Sequence, residues 1–242
     1  MVEITMTKPK ILILDIETRP ATAYVWRMWD ENITPEQLID EGGMICFCAH
    51  WLGTKEYLFY SDWDDGHSAV VKAAHTLLTD ADAVVTYNGD RFDLPKLQGE
   101  FLREGLNPPP PPTSIDAIKT VKKLGFVMNR LAYIGPLLKI GAKVKHEGFG
   151  LWKSVMAGDD KAQKRMKKYC IQDVRLLARL YRVIRPYVKN HPHMNGQGSN
   201  TCGACGSDKL HSRGVRRTKG FLIQRLQCQQ CGAWQDGKRK KV

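Results

Sequence analysis

The chain has 242 residues, 43% of them hydrophobic, enough to bury one sizeable α/β core and leave a short appended module. No run approaches the roughly 20 apolar residues that span a bilayer, and the first apolar run, Ile11 to Ile16, is too short for a secretion signal and meets Asp15 at once, so a soluble, cytoplasmic protein with no membrane partner is expected. The formal charge is +12, and from His191 onward ten Lys/Arg face two acidic residues, so two thirds of the excess sits in the last fifth of the chain and implies a polyanionic partner.

In chain order, Lys10–Thr18 reads as a strand, and Met44–Trp51 and Glu56–Ser61 as two more joined through Gly53 in a hairpin. His67–Leu78 has helical apolar spacing, and the apolar run Ala83–Tyr87 ends at the turn Asn88-Gly89. Leu94–Leu106 reads as a second helix, Pro108–Pro112 as a stiff connector, Ser114–Ala117 as a short strand and Arg130–Leu138 as a helix. Gly141–Trp152, rich in glycine and charge, reads as a loop. A long helix is expected from about Asp160 to Ile184, started by Asp159 or Asp160 and stopped by Pro186, with Cys170, Val174, Leu177, Tyr181 and Ile184 as its buried stripe. Strands followed by alternating helix and strand predict an α/β fold, a mixed β-sheet flanked by helices. The polar, aperiodic stretch 191–199 divides this body, residues 1–190, from a C-terminal module, residues 200–242.

Three acidic elements stand out. In Asp15-Ile16-Glu17 the strand alternation puts both carboxylates on one face, where they repel unless a cation sits between them; alone, the pair reads equally as metal ligands or as solvent-facing acids. In Asn88-Gly89-Asp90-Arg91-Phe92-Asp93, Phe92 is expected to be buried and Asp93 to stand at a helix start, where a simple capping role is the plainer reading. Tyr169 and Asp173, four apart on the long helix, stack beside its apolar stripe and could jointly hold a water or form a local hydrogen-bonded pair.

Order and context decide between these readings. Asp15-x-Glu17 on the first strand, Asn88-Gly-x-x-Phe-Asp93 after a later strand and Tyr169-x-x-x-Asp173 on a late helix resemble the three exonuclease motifs of the DEDD superfamily, over about residues 10–187. The match is to the tyrosine subclass, as in the proofreading domains of family B DNA polymerases; the histidine subclass would need His where this chain has Lys168. The resemblance implies a ribonuclease H-like fold and a metal-dependent 3′–5′ exonuclease, with DNA favoured over RNA as substrate. It implies two Mg²⁺ or Mn²⁺ ions, with Asp15 bridging both, Glu17 and Asp173 sharing one, Asp93 holding the other and Tyr169 orienting the attacking water. Asn88, Phe92 and Lys168 are the expected nucleic-acid contacts near the site. Seven Lys/Arg and no acids between Ala117 and His146, and ten between Lys161 and Lys189, supply a basic setting for phosphates. Asp116 is expected at a helix start or in support of the site. A non-catalytic nucleic-acid-binding or adaptor protein on the same scaffold, and a 3′–5′ exoribonuclease, are the alternatives.

Cys202-Gly-Ala-Cys205 and Cys228-Gln-Gln-Cys231, 22 residues apart, have the spacing of a structural site for one Zn²⁺, and the segment resembles a zinc ribbon over roughly residues 200–236. Gly203, Gly206 and Gly232 are expected to relieve its tight turns, and Phe221, Ile223 and Leu226 to lie in a β-hairpin, followed by a basic tail. Arg213, Arg216, Arg217 and Lys219 suit contact with nucleic-acid phosphates, with docking to a protein partner as the other use of such a module. Cys46, Cys48 and Cys170 read as buried core thiols and His211 as a surface residue.

Overall fold

In the computed structural model, residues 8–194 and 200–242 are described, so the predicted linker residues 195–199 and the first seven residues lie outside the described part. Strand β1, Ile11–Arg19, is apolar without interruption up to Asp15 because both of its faces are covered. Leu12, Leu14 and Ile16 enter one core, and Ile11 and Ile13 enter the other. The same alternation carries Asp15 and Glu17 onto the Ile11/Ile13 side.

After β1 a two-stranded arm, β2 (Thr22–Ala23) with β3 (Leu38–Asp40), leaves the sheet; it has no period, and Trp26 and Trp29 on it are exposed. The chain returns as β4 (Gly43–Trp51), antiparallel to β1 with a bulge at Glu17/Thr18, and turns into β5 (Leu58–Ser61), antiparallel to β4. Helix α1 (His67–Thr79) leads to β6 (Ala83–Thr86), which lies parallel to β1 on its other side. Helix α2 (Asp93–Arg103) leads in turn to β7 (Thr113–Asp116), parallel to β6, and the sheet order is β5-β4-β1-β6-β7. This is the mixed sheet expected from the alternation of elements.

Helices α1 and α2 cover the Leu12/Leu14 face through Val70, Val71, Ala74, Leu78, Leu97 and Phe101. The opposite face is covered by α3 (Ala117–Lys123), α4 (Leu131–Leu137) and the long α6 (Asp160–Ile184), with α5 (Phe149–Met156) packed beside α6. Asp159 caps α6 by accepting from the Lys161 and Ala162 amides, and Pro186 sits in the 3₁₀ turn that follows its end. Every residue of the predicted α6 stripe is buried, but so are Met166, Tyr169, Asp173, Leu176 and Leu180. Tyr169 and Asp173 therefore lie within the buried surface and not beside it, because α6 meets the sheet, α5 and α3 on a face wider than one stripe.

Three further expectations change. Gly141–Trp152 is not a loop throughout, since its last four residues begin α5; their two turns are too short for a period to stand out against the glycines. Helix α3 follows directly on β7, so the expected strand Ser114–Ala117 ends at Asp116 and Ala117 already belongs to the helix. The C-terminal module is a three-stranded antiparallel sheet, β8 (Leu210–Arg217), β9 (Phe221–Cys228) and β10 (Trp234–Lys241), in the order β10-β9-β8. The basic tail is thus strand β10, paired through its backbone, and a run of lysines carries no alternation that would announce it. Among the described residues no helix is long and apolar enough to cross a membrane.

Candidate active site and metal centres

Three separate elements bring four carboxylates to one place. Asp15 and Glu17 project from β1 toward α6, opposite Cys48 and Cys46 of β4. Asp93 opens α2, and its carboxylate, 3% exposed, accepts a hydrogen bond from the Ile16 amide at 3.1 Å, which fixes it against β1 between the other two. Asp173 reaches in from α6, also 3% exposed.

The loop before Asp93 is held by a residue from the neighbouring strand end. Asp116 accepts from the amides of Asn88 at 2.7 Å and Asp90 at 3.4 Å while capping α3 through Ile118. It is a helix-start residue, as expected, and also the clamp that positions the turn. Gly89 admits no side chain there, since a Cβ would sit 2.3 Å from the Thr86 hydroxyl. Phe92, expected to be buried, is 41% exposed: the turn that points Asp93 inward points its neighbour out.

The electrostatics of this cluster are unfavourable for anions. Burial, then the charges of Asp93, Glu17 and Asp173, push the Asp15 carboxyl well above its usual range. Glu17 is pushed up to about 8 by burial and by Asp173, and Asp93 to about 6, chiefly by burial. Asp173 is raised by burial, against the pull of Lys143. Its Oδ2 accepts from the Lys143 ammonium at 2.6 Å, whereas its buried Oδ1 has no hydrogen-bond partner at normal distance among the described residues.

Lys143 lies in the loop before α5 and is the residue that sequence reasoning missed. It was one of seven cations in an acid-free stretch, and nothing in their spacing marks which one turns inward. Its ammonium also lies 3.4 Å from the Tyr169 hydroxyl and 5.4 Å from the centre of that ring. Tyr169 is wedged edge-on between His146 and Trp152, at 4.9 and 5.9 Å, so the same loop and α5 set its orientation. Burial and the nearby acids hold the phenol far above its usual pKa, and it stays protonated. Cys170 lies beneath the acids, where hydrogen bonding with Cys46 and burial keep it a neutral thiol.

Four carboxylates, an orphaned buried oxygen and one lysine as counter-charge fit hard divalent cations such as Mg²⁺ or Mn²⁺, which take oxygen ligands. Of the expected nucleic-acid contacts, Asn88 is half-buried, while Phe92 and Lys168 are exposed.

A second cluster fits a different metal. The sulfurs of Cys202, Cys205, Cys228 and Cys231 all lie within 4.8 Å of one another, with Cys202–Cys231 and Cys205–Cys228 each at 3.6 Å. A tetrahedral zinc with bonds of about 2.3 Å requires sulfurs about 3.8 Å apart. Amides of Gln230 and Cys231 point at the Cys228 sulfur and, although burial opposes them, lower its pKa to about 7. Gly206 and Gly232 both have φ of +79° where amides turn back onto the Cys202 and Cys228 carbonyls. Gly203 does not share that role: it is small because the His193 ring packs against it, 2.9 Å from where a Cβ would stand.

The sequence model of the RNase H superfamily matches residues 39–185, more than half of the chain, and the chain belongs to that superfamily. The matched span contains Asp93, Tyr169 and Asp173 and begins after β1. The fold is similar to the family B DNA polymerase from the hyperthermophilic archaeon Pyrobaculum calidifontis, with a TM-score of 0.54 and 13% identity, over 89% of this chain and 32% of the polymerase. The chain thus spans about a third of that polymerase's length, and at this identity the likeness is one of fold. A comparison with curated protein sequences returns no match. The sheet and its helices are the ribonuclease H-like fold, and the four-cysteine cluster on a small sheet fits a zinc ribbon.

Proposed function

We propose that the chain is a 3′–5′ exonuclease acting on nucleic acid, DNA in preference to RNA, within the nuclease class that its superfamily supports. The observation that carries the reading is the meeting of four carboxylates from three elements, Glu17, Asp93 and Asp173 buried and Asp15 half-buried, with Lys143 as the cation that opposes them. Asp15, Glu17, Asp93 and Asp173 would hold two Mg²⁺ or Mn²⁺ ions, and Asp173 Oδ1 has the open valence for one of them. Bound there, such ions supply Lewis-acid activation of water and stabilise charge on the leaving 3′ oxygen.

The chain's own groups do the positioning. Lys143 donates to Asp173 and toward the Tyr169 oxygen, and the phenol itself hydrogen-bonds to the Asp173 carboxylate, so Tyr169 would turn its proton from that carboxylate to an attacking water. A phenol held protonated orients that water and does not serve as its base. Exposed Phe92 and half-buried Asn88 would contact the terminal nucleotides, and Lys168 on α6 would contact the backbone.

Residues 1–190 would form the nuclease domain, 191–199 a linker and 200–242 a ribbon stapled by one zinc, whose exposed Arg213, Arg216, Arg217 and Lys219 would contact phosphates. The test incubates 3′- and 5′-labelled DNA and RNA with Mg²⁺ or Mn²⁺. Stepwise loss from 3′ ends, absent in Asp15→Asn, is expected; substrate left intact by the wild type while bound by both proteins would replace this reading with a non-catalytic binder. Faster loss from RNA would make the enzyme an exoribonuclease. For the ribbon, Cys228→Ser is expected to lose one zinc per chain, and an unchanged zinc content would refute the site.

A further inference from the structure

One face of the C-terminal sheet gathers cations around an open aromatic ring. Residues paired across an antiparallel sheet share a face. Arg216, Ile223 and Arg239 form one such row, and Arg225 pairs with Asp236. Asp236 is the carboxylate of that group, and Arg216 and Arg239 reach it at 2.9 and 3.4 Å. Arg213 is steered onto the same face by Gln227, at 3.1 Å, and neither it nor Arg225 has a carboxylate partner among the described residues. Ile223 is buried beneath them.

Trp234 borders this face and remains 50% exposed, unlike a core tryptophan. The Arg225 guanidinium lies over its ring, 4.7 Å from the centre, and covers one side. A shallow cavity of about 200 Å³ opens between Arg216, Arg225, Trp234 and Asp236. A ring backed by a guanidinium on one side and open on the other is half of a stack. Its missing half is a flat π-system, and the cations around it ask for negative charge nearby.

We infer that this face binds single-stranded nucleic acid, with an unpaired base stacked on the open side of Trp234 and the flanking phosphates on Arg213, Arg225 and Arg239. A duplex would engage the arginines but hide its base faces from the ring. The inference rests on the reading of the chain as a nucleic-acid protein and specifies which strand form its ribbon takes.

The test uses the full, zinc-loaded chain with Ca²⁺ in place of Mg²⁺ to hold off cleavage, and follows fluorescein-labelled oligothymidylate by anisotropy across a salt series. Trp234→Ala is expected to weaken binding about tenfold with no change in the salt slope, and Trp234→Phe to retain most of the affinity. Arg213→Ala and Arg225→Ala are each expected to lower the slope by about one. If Trp234→Ala fails to load zinc, Trp234→Leu, which keeps bulk without a π-face, takes its place with the same expectation. Unchanged affinity in the zinc-loaded variant, or an equal loss toward duplex DNA, would overturn the inference, as would a wild type that does not bind oligothymidylate. Because the readout is binding, a chain that never cleaves but loses affinity with Trp234→Ala would sink the exonuclease reading and keep this one. A chain that cleaves yet binds unchanged would do the reverse.

Discussion

The four carboxylates come from three elements spread between residues 15 and 173, whereas the four thiols come from two turns between residues 202 and 231. The carboxylates sit on a sheet whose two cores are filled with apolar side chains, so that scaffold folds around a cluster that costs it energy. The thiols sit on a small sheet whose buried cluster is little more than Cys202, Cys228 and Ala233. On the proposed reading the first fold would prepare a place for cations, and in the second the cation would prepare the fold. Lys143 marks the difference, since the acidic cluster keeps a counter-charge of its own.

The largest effect that could break this contrast is zinc removal. Stripping zinc with a strong chelator is expected to cost the ribbon on the order of 10 kcal/mol, with amide-exchange protection lost across β8–β10 and retained across β1. Loss of protection in both regions would mean that the body depends on the ribbon. Next is Asp15→Asn, expected to cut 3′-end release by more than about a thousandfold, several kcal/mol of transition-state stabilisation. Its melting temperature without divalent ions should hold or rise, because the substitution removes a half-buried carboxyl whose charge three neighbours oppose. A marked fall would mean that Asp15 is a structural acid.

A smaller effect tests Lys143. Lys143→Ala leaves the Asp173 carboxylate, 3% exposed, without its partner; allowing for the partly exposed lysine, a loss of about 1–3 kcal/mol is expected in chelator. Millimolar Mg²⁺ should recover most of it, and no recovery would argue that the acids do not share an ion with Asp173. The smallest change is expected from Phe92→Ala, which should move stability by no more than about 0.5 kcal/mol because the ring is largely exposed. A rise in KM with stability unchanged would sharpen its place as a substrate contact, and a large loss of stability would show that the ring is structural after all.

Patterns confined to a few neighbouring residues were readable from sequence. The uninterrupted apolar run of β1, the helical stripe of α6 with its Asp159 cap, and the Cys-x-x-Cys pairs each follow from side chains that must share a face, a turn or an ion. Motif order also put Asp15, Glu17, Asp93 and Asp173 into one proposal. What escaped was everything decided by a contact between distant segments. No periodicity separates Lys143 from six other cations; only the seating of its loop against α6 turns it toward Asp173. Phe92 points outward because Asp93 is pulled inward by the Ile16 amide, and β10 exists because β9 offers it a backbone edge, not because its lysines favour a strand. Periodicity records which side of an element meets the interior. Which partner waits there is settled by the packing of the whole chain, and that choice makes a set of separated acids into a site.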